Sequence, residues 1–225
     1  DFNNDGRLDL YVASGGNELP LKDENYQDQL YLQTGEGIFD LATDRLPKIM
    51  SSTATVNAAD FDGDGDLDLF VGSRLLPGSY PYPGQSYILE NDNGYFKDVT
   101  ASVAPELGDI GLVTSALWTD FDNDGALDLI VVGEWMEISF FKNEKGEFGN
   151  VTQNSGLAGL TGSWNSINGT DFDGDGDIDY IVGNLGTNTD LKASGKQPLT
   201  IVAKDFDENG SIDPIMGYYV NGINY

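Results

Sequence analysis

A nine-residue pattern, D-F-[DN]-x-[DN]-G-x-[LI]-D, occurs five times in this chain of 225 residues. The copies are DFNNDGRLD (1–9), DFDGDGDLD (60–68), DFDNDGALD (120–128), DFDGDGDID (171–179) and DFDENGSID (205–213). Their starts lie 59, 60, 51 and 34 residues apart, so the chain is built from repeats of about 50 to 60 residues, the last interval cut short. Each copy crowds carboxylates onto alternate positions. Two like charges about 4 Å apart repel by roughly 4 kcal/mol at a near-surface dielectric, so the loops call for a counter-charge.

The sequence around the loops sets the architecture. After each loop comes a near-continuous apolar run, LYVAS, LFVGS, LIVVG, YIVGN or PIMGY, which reads as a strand buried on both faces. Before each loop from the second onward comes a half-polar stretch of strand character, such as TATVNAA or LVTSALWT. Three segments, LYLQTGEGIFDLAT, YILENDNGYFKDVT and FFKNEKGEFGNVT, share a frame with Gly two residues before a Phe and Thr four after it. Two strands joined by a short Gly turn account for that frame. Each unit is therefore expected to be a four-stranded antiparallel blade. The fold class is all-β: an incomplete β-propeller arc of about four blades from a seven- or eight-bladed ring, with a closed ring of four or five blades as the alternative. The expected units are 1–52, 53–111, 112–162, 163–197 and a partial 198–225.

Composition narrows the chemistry. The chain has 11 basic and 38 acidic residues, a net charge of −27, which argues against nucleic acid and anionic membrane as partners. It has no His and no Cys, which removes thiolate metal sites, disulfides and the commonest general base. No apolar run approaches the 18 residues of a membrane span. The chain opens inside a motif, so it is expected to be a piece of something longer.

In each loop, side chains at positions 1, 3, 5 and 9 and the carbonyl at position 7 can surround one cation, with Gly at position 6 supplying the required turn. The candidate ligands are Asp1, Asn3, Asp5, Arg7 and Asp9; Asp60, Asp62, Asp64, Asp66 and Asp68; Asp120, Asp122, Asp124, Ala126 and Asp128; Asp171, Asp173, Asp175, Asp177 and Asp179; and Asp205, Asp207, Asn209, Ser211 and Asp213. Phe at position 2 and Leu or Ile at position 8 are expected to point into the blade. An all-oxygen, flexible site favours Ca²⁺, up to five ions, over Mg²⁺. An EF-hand is excluded, because its position 12 requires Glu where this chain has Val12, Val71, Val131, Val182 and Met216. The alternative is a set of solvated acidic turns.

These D-x-D-x-D-G-x-x-D loops between strands resemble the FG-GAP repeats of integrin α subunits and the related VCBS-type repeats of bacterial proteins. The segment SWNSINGTDFDGDGDIDYIVGNLGTN further resembles large bacterial secreted or envelope proteins. The resemblance implies a propeller whose calcium loops brace the side away from the ligand.

Blade geometry implies the same division. Connections between the first and second and between the third and fourth strands share one face, and the longer connections share the other, where binding usually resides. Tyr26, Tyr80, Tyr82 and Trp135 are candidates there for an aromatic platform, or for packing loop against loop. The leading reading is a non-catalytic recognition module for an extracellular protein or carbohydrate, on a secreted, periplasmic or cell-surface protein, since loops of this kind suit the millimolar calcium outside cells. The alternatives are a polysaccharide lyase or hydrolase and a structural scaffold. An enzyme would draw on Glu106, Asp109, Glu134, Glu137 and Asp190 with Arg74 or Lys192, and no spacing among them singles out a pair.

Overall fold

In a computed structural model, which describes residues 1–186 and 188–225, the five Asp loops each connect two antiparallel strands or lead into one. The second sheet is a complete blade. It contains β4 (Ser52–Ala59), β5 (Asp68–Leu75), β6 (Tyr87–Asp92) and β7 (Tyr95–Asp98), in that order and antiparallel throughout. Before it, β1 (Leu10–Val12), β2 (Gln29–Gly35) and β3 (Ile38–Leu41) form a three-stranded sheet that begins at the second strand of the repeat. After it, β8 (Leu112–Thr119), β9 (Asp128–Glu137), β10 (Ser139–Glu144) and β11 (Glu147–Asn150) repeat the complete blade. The fold is all-β and propeller-like, as the sequence indicates.

Regularity declines towards the end of the chain. Strands β12 (Thr161–Thr170) and β13 (Asp179–Asn184) flank the fourth loop, and β14 (Thr200–Lys204) and β15 (Asp213–Gly217) flank the fifth. Neither pair continues into a Gly-turn hairpin of the LYLQTGEGIF type; a small hairpin, β16 (Tyr219–Val220) with β17 (Ile223–Asn224), follows instead. The expected separation of blades also fails at one point. The end of β9 pairs with the start of β12 (Thr161 opposite Glu137, Gly162 opposite Met136), which fuses the third sheet to β12 and β13. Gly162 faces Met136 and Ser163 faces Glu134, so Trp135, at φ +60°, is the unpaired residue of a bulge in β9.

The core lies between blades. One apolar layer joins Leu30 and Ile49 to Leu69, Val71 and Leu89; a second joins Phe70 and Ile88 to Val113, Leu129, Val131 and Phe141; a third joins Ile130 and Val132 to Trp164 and Ile167. Strands β5 and β9 are therefore buried on both faces, which explains their unbroken apolar runs. The equivalent runs in β1, β13 and β15 are half exposed, because each lacks a blade on one side. Gly72 marks how closely the layers approach: a Cβ there would stand 2.7 Å from both Thr55 Cγ2 and Val113 Cγ1.

Two loop phenylalanines tie neighbouring sheets by reaching into the next blade, whereas Phe121 packs edge-on to Phe140 of its own blade. Phe2 packs edge-on to Phe96 of β7, with ring centroids 5.4 Å apart. Phe61 stacks on Trp118 of β8 and meets Phe148 of β11 edge-on. Phe172 and Phe206, which no such hairpin receives, are 55% and 50% exposed. Position 8 does not point inward as expected. Leu8 is 76% exposed, and Leu67 and Ile178 are exposed as well. Leu127 and Ile212 are half-buried, and at Leu67 and Leu127 it is the backbone carbonyl that is engaged, by Asn91 and Asn143.

A buried carboxylate joins the first two sheets. Asp28 accepts from the Tyr11 hydroxyl (2.8 Å), the Ser14 N–H (2.6 Å) and the Thr53 hydroxyl of β4 (2.9 Å). Burial pushes its pKa upward, and these three donors pull it back. Replacing Asp28 by Asn puts an NH₂ group against donors. The substitution is expected to lower stability by about 1–3 kcal/mol in urea unfolding. Phe61→Ala is expected to cost about 3–5 kcal/mol, whereas Phe206→Ala at its exposed site stays within about 0.5 kcal/mol of the parent chain.

Candidate metal centres

Every loop folds around its first aspartate. The two carboxylate oxygens of Asp60 accept the N–H groups of Gly63 (2.8 Å) and Gly65 (3.1 Å); those of Asp120 accept Asp124 (3.0 Å) and Gly125 (2.9 Å). Asp1, Asp171 and Asp205 do the same. The glycine at position 6 has φ between +84° and +99° in all five copies, and a Cβ there would meet nothing within 4 Å. The backbone, not lack of space, demands glycine.

The ninth residue ties the loop to the blade. Asp68 accepts from Phe61 N–H (3.2 Å) with one oxygen and from Asn91 N–H in β6 (2.9 Å) with the other; Asp128 accepts from Phe121 (3.1 Å) and from Asn143 in β10 (2.8 Å). Asp9 bonds Phe2 and Gln33 in the same way. Asp179 and Asp213 keep the bond to Phe172 and Phe206.

These contacts bring positions 1, 3 and 9 together. In four loops, Asp60, Asp62 and Asp68; Asp120, Asp122 and Asp128; Asp171, Asp173 and Asp179; and Asp205, Asp207 and Asp213 each present one oxygen within 4.8 Å of the others. Such all-oxygen triads fit a hard cation. Position 5 stands apart from the triad. Asp64, Asp124, Asp175 and Asn209 each use one oxygen to accept the N–H of position 7, an Asx turn, as does Asp5. At position 7, the Asp66 side chain is engaged by Asn4 and by the N–H of Asn93.

Burial and like charge raise the pKa of carboxyl groups in the loops. Burial pushes the Asp68 carboxyl up to about 7; the Asn91 and Phe61 N–H groups oppose that, and Asp62 and Asp64 reinforce it. Asp128 shifts in the same direction for the same reasons. Repulsion from Asp175 raises Asp177. Two loops carry their own cation. Arg7 bonds Asp5 at 2.6 Å, and the Lys142 ammonium of β10 bonds both Asp122 and, at 2.8 Å, Asp124. That contact lowers the Asp124 pKa.

Two residues essential to this arrangement are easily overlooked in the sequence. The Asn91 amide donates to the carbonyls of Phe2 (2.9 Å) and Leu67 (3.0 Å) and accepts from Gly94 N–H (2.7 Å). Asn143 donates to Phe61 and Leu127 and accepts from Gly146 in the same geometry. Each is buried and fastens one Asp loop to its own blade and to the loop of the blade before. Their signal is Asn three residues before the turn glycine, in NDNG and NEKG.

On the opposite face, the indole N–H of Trp135 donates to the Tyr80 hydroxyl at 2.8 Å, across the boundary between two blades. Beside them, Arg74 pairs with Glu134 at 2.5 Å. Tyr82 is exposed, with its hydroxyl 3.5 Å from the Ala203 carbonyl. Tyr26 does not join them. It is 1% exposed, and its hydroxyl both donates to and accepts from the Leu19 backbone, so it packs a loop rather than facing a ligand. Glu106 and Glu137 line a cavity of about 400 Å³ with Met136, Ser139, Asn150 and Thr152. Asp109, Asp190 and Lys192 are exposed and do not line it.

Sheets tied by repeated Asp loops with metal-ready triads define a propeller repeat protein. The model for the FG-GAP-like repeat matches residues 1–71 and 120–182, more than half of the chain, and the chain belongs to that family. It is also 32% identical over 156 residues to cartilage acidic protein 1 of Xenopus tropicalis, an alignment that covers 65% of this chain and 22% of that protein. The chain thus spans about a fifth of the length of that relative. Among the described residues, no helix is long and apolar enough to cross a membrane.

Asn143→Ala is expected to lower stability by about 1–3 kcal/mol, since it strands two buried carbonyls and one N–H. The Asp68 shift also fixes a pH dependence. Its folded, metal-free pKa near 7 lies above the unfolded value of about 4, so its contribution to stability is complete below pH about 4 and is lost as pH rises through 7. The chelated protein is therefore expected to melt at progressively lower temperature between pH 5 and 8, measured by calorimetry.

Proposed function

We propose that this chain is a calcium-braced, non-catalytic recognition module that binds a protein or carbohydrate on the face opposite its Asp loops. The observation that carries the reading is Trp135. A bulky residue at φ +60° is strained, and strain of this kind collects at functional sites. Here it sets an indole beside Tyr80, with the Arg74–Glu134 pair as a polar rim. Aromatic side chains held by a neighbouring blade suit the flat face of a sugar ring or an apolar anchor on a protein.

Calcium is the cation that the loops are proposed to hold, through Asp60, Asp62 and Asp68 and their counterparts, with Asp64, Asp175 and the position-7 carbonyls completing the shell. When bound, it would neutralise the carboxylates and brace the strands on either side. A site filled at 100 times its dissociation constant adds about 2.7 kcal/mol if the unfolded chain does not bind the ion. The all-oxygen donor sets without a bidentate Glu suit millimolar calcium, and the relative's printed name ties that protein to cartilage. Both support a secreted, periplasmic or cell-surface location.

A second reading rests on Glu106 and Glu137, two carboxylates on one cavity of this same face. It would make the chain a polysaccharide-cleaving domain. One experiment addresses both readings: the calcium-loaded protein is titrated with a panel of polysaccharides and proteins, and binding and cleaved product are measured together. Saturable binding without product, weakened at least about tenfold by Trp135→Ala, is the expected result. Product that is lost in Glu137→Gln would favour the enzyme, and binding indifferent to Trp135→Ala would overturn the proposed face. Excess chelator is expected to lower Tm by about 10 °C or more.

A further inference from the structure

The third strand of each blade passes directly over its Asp loop, and one position on it differs in charge between blades. The residue whose N–H clasps the ninth-position Asp is Gln33 in the first sheet, Asn91 in the second and Asn143 in the third. The residues just before these are Leu32, Glu90 and Lys142. The same backbone position therefore carries an apolar, an acidic and a basic side chain in the three sheets.

Only in the third does that residue enter the loop. The Lys142 ammonium bonds the Asp122 carboxylate and, at 2.8 Å, the Asp124 carboxylate. Asp122 belongs to the triad with Asp120 and Asp128, so the ammonium engages one of the triad's own carboxylates. Among the described residues, no Lys or Arg nitrogen pairs with the aspartates of 60–68, 171–179 or 205–213. The third loop also has Ala126 where the second and fourth have Asp66 and Asp177, so it carries one carboxylate fewer. Both differences act in the same direction.

We infer that Lys142 is a built-in counter-ion for the loop 120–128, which closes that loop without calcium and makes it a weaker calcium site than the loops 60–68 and 171–179. The inference rests on the calcium reading above for its comparison between sites, and on the ion pairs alone for the clamp. A positive charge roughly 4 Å from a divalent ion opposes its binding even at high effective dielectric. The ammonium must leave before the ion can take its full set of oxygens. The propeller thereby keeps one loop at its centre braced when calcium is scarce, while its neighbours respond to the ion.

The test compares calcium titrations by calorimetry of the full chain, the K142Q variant and the K142Q/D122N double variant. One binding event is expected to tighten at least about tenfold in K142Q, and this gain should vanish in K142Q/D122N. The converse variant, E90K, is expected to weaken one event about tenfold by placing an ammonium over 60–68. A K142Q isotherm within twofold of the parent's, in a parent that does bind calcium, would overturn the inference. A second measurement separates the two readings. In excess chelator, K142Q is expected to melt below the parent chain and to recover on adding calcium. If the parent binds no calcium but K142Q still melts lower in chelator, the calcium reading fails and the clamp stands; if K142Q melts with the parent in chelator, the clamp fails.

Discussion

The buried carboxylate that ends each Asp loop is the interaction on which the rest of the structure depends. Asp68 and Asp128 each hold two backbone N–H groups at once, one at the start of the loop and one on the third strand. That single side chain fixes the loop's closure and the strand's register together. The rest of the loop is built on that closure: the first Asp is positioned to receive the loop's N–H groups, and Phe61 reaches the next blade. Among the described residues no third strand joins β13 or β15, only one bond of the clasp is made there, and Phe172 and Phe206 are exposed.

Burying a carboxylate among other carboxylates is costly, and the protein meets that cost in two ways. Arg7 and Lys142 neutralise two loops from within. The loops at 60–68, 171–179 and 205–213 have no such partner among the described residues, and burial, reinforced by Asp62 and Asp64, raises the pKa of Asp68 at a cost in ionisation. A proton can answer it at low pH and a divalent cation at neutral pH. The same loops therefore couple stability to solution conditions, while the face carrying Trp135 and Tyr80 lies at the far ends of the same strands.

Cohesion between blades comes from two kinds of contact that work as a pair. Apolar layers between sheets supply most of the burial but fix little about register, since branched aliphatic surfaces tolerate sliding. The amides of Asn91 and Asn143 supply the direction: each spans its own loop and the preceding one, with every donor and acceptor used. Aromatic pairs such as Phe61 with Trp118 then close the seam.

The repeat period, the buried second strand, the Gly-turn hairpin and the crowding of carboxylates in each loop were legible in the sequence, because each rests on local spacing: Asp at fixed intervals, Gly at the turn, apolar residues in an unbroken run; that positions 1, 3 and 9 gather while position 5 stands apart was not. Contacts between units were not. Which way Phe61 points, that Leu8 stays outside, that Tyr26 is buried, that β9 pairs with β12 and that Lys142 folds back onto Asp122 depend on what the neighbouring blade offers. A propeller repeats its local rules in every unit, so its sequence determines the blade and its metal-ready loops. The seams between blades join residues tens of positions apart, and only the tertiary structure decides which side chains meet there, because burial and charge pairing are settled by what stands opposite.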